Sequence, residues 1–220
     1  MSREQCAQAA LGLIRPGMTV GMGGGSTVAL LIGLAAGTDI TVVSPSWDTL
    51  RLCREQGLNT ASLQDTESVD IAFDGCDELD MQLNALKSCG GIHTREKITA
   101  AMAEDYVLLA DSSKLADSLS FDVPVVLEVL EPALASVRHK LEKAGYTAQL
   151  RCGSGKTGPV VTDDGHLLMD LTVPADADVQ SVYRDLQDLP GVVENSLFYQ
   201  VATKAVISGE NGIEIIERNR

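Results

Sequence analysis

Residues 69–98 read VDIAFDGCDELDMQLNALKSCGGIHTREKI, and the order of residue types in this stretch decides the fold. It opens on an apolar run, Val69 to Phe73, with the length and composition of a buried strand. The run stops at Asp74-Gly75, and Asp77 and Glu78 follow, so three carboxylates sit within five residues just past a strand end. In open α/β sheets that carboxyl edge is where ligands bind. Lys87 comes next, then Gly90-Gly91, then Thr94-Arg95-Glu96-Lys97 opening a helical pattern. Acids, a lysine and glycines in a loop closed by a helix N-terminus can hold an anion and move protons. Each residue alone has a structural explanation, as an Asp-Gly turn or a helix cap. Their gathering into one short stretch points to a site.

Upstream, residues 2–14 have the spacing of an amphipathic helix stopped by Pro16-Gly17. Met18 to Met22 reads as a strand, Gly21 to Thr27 as a glycine-rich loop, and Ser26 to Ala36 as a helix. Backbone N–H groups and the helix dipole at such a junction suit a phosphate. The loop is not a Walker P-loop, because no Gly-Lys-[Ser/Thr] closes it. It is not a full G-x-G-x-x-G, because Ser26 takes the last position. The next strand, Ile40 to Val43, ends at Ser44-Pro45 without the acid that would hold a nicotinamide ribose. A dinucleotide site is therefore rejected and a phosphate site kept. Asp48 to Gln56 is a helix pattern with Gly57 as its cap. Past the central stretch, the helix after Thr94 is expected to run to about Glu104. The strand Tyr106 to Ala110 ends at Asp111-Ser112-Ser113-Lys114, a second polar cluster at a strand end.

The pattern changes near Pro124. Val125 to Leu130 reads as a strand, Pro132 to Gly145 as a helix and Thr147 to Arg151 as a strand. Val160 to Thr162 and His166 to Leu171 read as a hairpin around Asp163-Asp164-Gly165. Asp176 to Asp188 is a helix pattern and Val192 to Phe198 a strand. This β-α-β-β-α-β order is ferredoxin-like. Lys204 to Ser208 and Ile213 to Ile216 look like closing strands. The expected fold is α/β: a Rossmann-like open-sheet catalytic domain of residues 1–123 and 202–220, with a small ferredoxin-like α+β domain, 124–201, inserted.

The chain has 220 residues, enough to bury a real core. Its 17 basic and 31 acidic residues give a net charge of -14, which argues against nucleic acid as a partner. A small anionic substrate feels local donors and is not excluded. The five cysteines, Cys6, Cys53, Cys76, Cys89 and Cys152, include no C-x-x-C pair, so no disulfide framework or zinc site is expected. His93, His139 and His166 share no ligand spacing; no metal and no cofactor are expected. His139 and His166 are expected at the surface, with His93 near the site. No signal pattern or membrane-spanning run is evident, and a cytoplasmic location is expected.

The chain resembles the ribose-5-phosphate isomerase type A family. Asp74-Gly75-Cys76-Asp77-Glu78 is similar to its D-G-A-D-E, followed by Lys87 and by Arg95-Glu96-Lys97, and the likeness extends over nearly the whole chain. The departures are Ser88 and Cys89 at usual glycines, His93 at a usual leucine, and Gly24 at a usual hydroxyl residue. The resemblance implies Glu96 as the base that moves a proton between carbons 2 and 1, and Lys87 as the group stabilising the enediolate. It implies Asp74, with Asp77 beside it, in ring opening and hydroxyl proton transfer. Glu96 in the first turn of a helix is expected to favour its ionised form. Gly25, Ser26, Thr27, Gly90, Lys114 and Arg3 are implied on the phosphate side. A small-molecule sugar phosphate as partner and a homodimer are implied as well. The alternatives are a paralogue isomerising another sugar phosphate, a non-catalytic sugar-phosphate sensor, and a thioester-dependent transferase using Glu96.

Overall fold

The structure is a computed structural model that describes residues 3–153, 155 and 157–218. Its helices are α1 (Arg3–Leu11), α2 (Ser26–Leu34), α3 (Trp47–Glu55), α4 (His93–Met102), α5 (Leu134–Lys143) and α6 (Val179–Gln187). Its strands are β1 (Thr19–Met22), β2 (Thr41–Val43), β3 (Asn59–Thr60), β4 (Val69–Gly75), β5 (Glu78–Asp80), β6 (Ala85–Leu86), β7 (Ala103–Asp111) and β8 (Leu115–Ala116), followed by β9 (Val125–Val129), β10 (Thr147–Leu150), β11 (Leu167–Thr172), β12 (Val192–Asn195), β13 (Leu197–Phe198), β14 (Lys204–Gly209) and β15 (Gly212–Glu217).

Seven strands form the main sheet in the order β3-β2-β1-β4-β7-β14-β15. Every pair is parallel except β14 with β15. The chain builds outward from β1 to β2 and β3, then restarts on the other side with β4 and β7. The switch point therefore lies between β1 and β4, where loops leave in opposite directions and open a crevice. The apolar run of β4 is the consequence of its central place. Ile71, Ala72 and Phe73 are buried because helices cover both faces of a parallel sheet. On one face Cys6, Ala10, Leu31 and Ile32 from α1 and α2 pack on Val20 and Phe73; on the other, Val69, Tyr106 and Leu108 pack with Phe198.

Several expected helix ends move by a few residues, and two of them show why. α1 stops at Leu11, and the chain tightens through i→i−3 bonds, Leu13 N–H to the Ala10 carbonyl (3.0 Å) and Ile14 N–H to the Leu11 carbonyl (3.1 Å). α4 ends at Met102, short of Glu104, because Ala103 turns extended and pairs with Val69 as the first residue of β7.

The second sheet, β10-β11-β9-β12, is antiparallel throughout. With α5 and α6 on one face it has the β-α-β-β-α-β order, and Val137, Leu141, Val182 and Leu186 fill its core. Residues 160–162 are not the strand expected before Asp163-Asp164-Gly165. The turn forms, with Gly165 at φ 85 and the Thr162 N–H bonded to the His166 carbonyl, yet only Val161 bridges to Leu167. β11 takes β10 as its partner instead.

The expected strand over 192–198 is two strands in two sheets. β12 pairs with β9, while β13 joins a third sheet, β13-β6-β5-β8, absent from the sequence-based expectation. The break is at buried Ser196. Its hydroxyl accepts from the Val126 N–H (2.8 Å) and its carbonyl accepts from the Lys87 N–H (3.0 Å). Among the described residues, no helix is long and apolar enough to cross a membrane.

Candidate active site

The site forms where β1, β4 and β7 end together at the switch point. Register aligns Met22 with Phe73 and Gly75 with Leu109, so the loops after these strands meet over one edge. Two glycines of the β1 segment make the approach close enough. A Cβ on Gly21 would stand 2.6 Å from the Ala72 Cβ and 2.9 Å from Thr99 of α4. A Cβ on Gly23 would stand 2.1 Å from the Asp74 carboxyl carbon. Asp74 thus fills the space that Gly23 leaves.

Asp74 is only 2% exposed and is fully engaged. Its Oδ1 accepts from the Gly75 N–H (2.8 Å) and faces Lys87 Nζ at 2.8 Å; its Oδ2 accepts from the Tyr106 hydroxyl (3.0 Å). Lys87 Nζ also donates to the Gly75 carbonyl (2.5 Å) and lies 3.2 Å from Glu96 Oε1. One buried ammonium therefore bridges two carboxylates, from β4 and from the first turn of α4. Burial opposes the charge on Lys87, but Asp74 and Glu96 more than offset it and raise its pKa above the ordinary lysine value. Glu96 moves the other way from expectation. Burial, and then the charge of Asp74, push its carboxyl up to about 8 against the pull of Lys87, so the helix terminus does not keep it ionised at neutrality. Tyr106 was not singled out from the sequence; the available signal was one aromatic residue inside an aliphatic strand.

These groups open onto a cleft of about 410 Å³. Lys87, Glu96 and Asp77 line it, and so do Gly25, Ser26, Thr27, Gly90, Arg3 and Lys114. Asp74 lies beneath the wall, behind Lys87. α2 begins at Ser26 after Gly25 at φ 101, a conformation costly for any side chain, and it carries no side-chain cap. Its first turn thus presents donors to the cleft. Lys114 Nζ donates to the Cys76 carbonyl at 2.5 Å.

Other residues of the central stretch separate by role. Asp77 Oδ2 accepts from the backbone N–H groups of Ser88 (2.6 Å) and Cys89 (3.1 Å), pinning the loop after Lys87. Glu78 turns away. Its carboxylate accepts from the N–H groups of Ser120, Phe121 and Val123 at 2.9–3.0 Å, which is an anchor for that connection. Ser88 points its hydroxyl to the Pro124 carbonyl (2.5 Å), away from the cleft, while Cys89 is exposed on the cleft wall. His93 is not at the site: it is fully buried against the Glu194 carbonyl (3.3 Å), with Nδ1 unpartnered, and burial lowers its pKa to about 4. His139 is exposed, but His166 is partly covered and its Nδ1 lies 2.9 Å from Glu128 Oε1. All five cysteines are free. Among the described residues, no group of three or more His, Cys, Asp or Glu is placed to hold a metal ion.

Similarity to known proteins runs through the site and the whole chain. The family described as Ribose 5-phosphate isomerase A (phosphoriboisomerase A) matches residues 41–212. The ribose-5-phosphate isomerase A of Thermosynechococcus vestitus is 38% identical over 215 residues, covering 94% of this chain and 91% of that protein. The structure of a D-ribose-5-phosphate isomerase in complex with phospho-erythronic acid superposes with a TM-score of 0.91 at 33% identity, covering 98% of this chain and 97% of the other. Ribose 5-phosphate isomerase A from Methanocaldococcus jannaschii gives 0.90 at 32% identity with the same coverage. Likeness of this extent, in sequence and in backbone alike, leaves a single assignment: the chain belongs to the ribose 5-phosphate isomerase A family.

Proposed function

We propose that this chain interconverts ribose 5-phosphate and ribulose 5-phosphate through an enediolate, with Glu96 as the base. The observation that supports it best is the buried ammonium of Lys87 shared by Asp74 and Glu96 on a cleft large enough for a small molecule. A binding protein has no use for an acid–base pair so costly to bury. Glu96, with a pKa near neutrality, gives up and regains a proton readily, which suits transfer between adjacent carbons. Lys87 supplies the positive charge for the oxyanion of the enediolate. Asp74 sits behind Lys87, which supports an action on the sugar hydroxyls relayed through that ammonium. Asp77 holds the Ser88–Cys89 backbone in place.

The phosphate end is assigned to the first turn of α2, with Gly25, Ser26 and Thr27, and to Lys114, Arg3 and Gly90. Pinning the phosphate there fixes carbons 1 and 2 against Glu96, so remote binding energy serves the chemical step. Of the departures from the family pattern, Ser88 and His93 turn away from the cleft while Gly24 and Cys89 line it, which leaves the catalytic groups of the pentose-phosphate reading in place. We further infer a catalytic unit of residues 1–123 and 202–220 with 124–201 inserted, acting as a cytoplasmic homodimer; five free cysteines accord with a reducing compartment.

A panel of phosphorylated aldoses, assayed for turnover with a chelator present, tests the proposal. Ribose 5-phosphate as clearly the best substrate is the expected result. Preference for another sugar would favour a paralogue, and tight phosphosugar binding with no turnover would favour a sensor.

A further inference from the structure

α4 carries the base on one side and is held from the other by a carboxylate that no step of the chemistry uses. Glu128 is the fourth residue of β9, whose five residues are all buried, and is itself 1% exposed. A charge in that place costs several kcal/mol unless it is fully partnered, and an apolar residue of similar size would serve stability as well or better. Its partners therefore indicate what the charge is for. Oε1 accepts from the Thr162 hydroxyl (2.7 Å) and faces His166 Nδ1 at 2.9 Å; Oε2 accepts a short hydrogen bond from the Thr94 hydroxyl.

Thr94 is two residues before Glu96. On an α-helix two residues project about 200° apart, on nearly opposite sides. So Thr94 reaches into the second sheet while Glu96 reaches Lys87. The flanking residues do the same: Arg95 pairs with Asp164 (2.7 Å) and Asp163 (3.2 Å), and Lys97 with Glu194 (2.8 Å). The Arg95 pairs are partly exposed and screened by water, which weakens them. The Thr94–Glu128 contact is part-buried, with its acid 1% exposed. α4 also lacks an ordinary start, since its cap position is Ile92 and no side chain caps its first turn. The Glu128 carboxylate bonds the Thr94 hydroxyl of that turn, and its charge is favoured near the positive end of the helix dipole.

We propose that Glu128 is a positioning residue for the isomerase: through Thr94 it fixes the rotation of the first turn of α4 and so aims the Glu96 carboxylate at the sugar carbons. The proposal rests on the reading of Glu96 as the base. It assigns the second sheet a task in catalysis, as the anvil against which the base is held. Misplacement of a catalytic group by a fraction of an ångström to an ångström costs up to about 10²-fold. Loss of one hydroxyl anchor with two flanking pairs still in place is expected to cost about 10-fold in kcat.

The test compares Thr94→Val, which keeps the shape and removes the hydroxyl, with Thr94→Ser, which keeps the hydroxyl. Glu128→Gln is the partner variant. Steady-state kinetics with ribose 5-phosphate and amide hydrogen exchange over residues 93–98 are measured on each. The expected result is a kcat about 10-fold lower in Thr94→Val, KM within about twofold of wild type, faster exchange in the first turn, and recovery of both in Thr94→Ser. Glu128→Gln should add little to Thr94→Val in the double variant. Wild-type kcat in Thr94→Val, or a loss that Thr94→Ser does not restore, overturns the proposal; a lower melting temperature alone with unchanged kcat does so too. A wild-type chain inert toward ribose 5-phosphate would defeat the isomerase reading separately. The exchange data would then decide whether Glu128 holds the turn. If Glu128→Gln fails to fold, the two Thr94 variants carry the test alone.

Discussion

Glu96 and Glu128 lie on opposite sides of α4, both almost without exposure, and their surroundings treat them in opposite ways. Burial acts on each to favour the neutral acid. At Glu128 two hydroxyls and an imidazole more than offset it, and the carboxyl ends below its ordinary value. At Glu96 the paired cation, Lys87, is shared with Asp74, whose own charge works against ionisation, and the carboxyl rises to about 8. A buried acid surrounded by dedicated donors is locked in one protonation state and can only hold things. A buried acid with half a partner stays near its titration point and can pass a proton. The contrast separates structural from reactive carboxylates better than burial alone.

Removing the shared cation should break the contrast most severely. Lys87→Met leaves the Asp74 and Glu96 carboxylates without the cation they share. Stability is expected to fall by about 3–5 kcal/mol, as when one partner of a buried pair is deleted. Turnover should drop by at least about 10²–10³-fold, the cost of losing an oxyanion donor. Urea unfolding and initial rates measure both. Gly23→Ala acts on the other member of the pair. The new methyl would sit 2.1 Å from the Asp74 carboxyl, so that group must move and take Lys87 with it. A fall in kcat of about 10²-fold is expected, with the fold retained by circular dichroism.

The pH dependence sharpens the comparison. The Glu96 carboxyl has its folded pKa raised from 4.5 to about 8, so its contribution to stability is complete below 4.5 and is lost as pH rises through about 8. His93, lowered from 6.5 to about 4, acts oppositely: its contribution is present above 6.5 and is lost as pH falls through about 4. The raised Lys87 titrates far above both and leaves this window alone. Melting temperatures of wild type minus those of Glu96→Gln isolate the first effect. That difference should decline steadily between pH 4.5 and 8. In the same range kcat/KM of the wild type should climb toward a limb near 8, as the free base ionises. The smallest effect on activity is expected from Glu78→Gln. This carboxylate accepts three backbone N–H groups of the 120–123 connection. Its loss should cost about 1–3 kcal/mol of stability and leave kcat within about twofold.

Legibility from sequence followed the physics of each element. β4 and its polar end were plain, because a strand buried on both faces has to be apolar until it leaves the sheet. The third sheet was invisible, since β5, β6, β8 and β13 have two or three residues each and no periodicity to read. Residues 192–198 looked continuous because the apolar residues flank Ser196; what splits them is where its backbone bonds, a tertiary fact. Asp74 and Glu78 were equivalent as letters four positions apart, yet one faces Lys87 and the other the 120–123 backbone. Glu96 was placed at a helix start, but the burial and the neighbouring Asp74 that outweigh the helix dipole come from β4 and β7 packing beneath it. Glu128 gave one signal that went unread: an acid within the apolar run Val125 to Val129.

The central claim is that Glu96 moves the proton, and one side-by-side measurement tests it most directly. Wild type and Glu96→Gln are assayed for conversion of ribose 5-phosphate to ribulose 5-phosphate with a chelator present, and binding of the same sugar phosphate is followed by calorimetry. The account predicts rapid conversion by the wild type, a loss of about 10²–10⁴-fold or more in the variant, and binding that survives the substitution. Conversion by Glu96→Gln at the wild-type rate would contradict it.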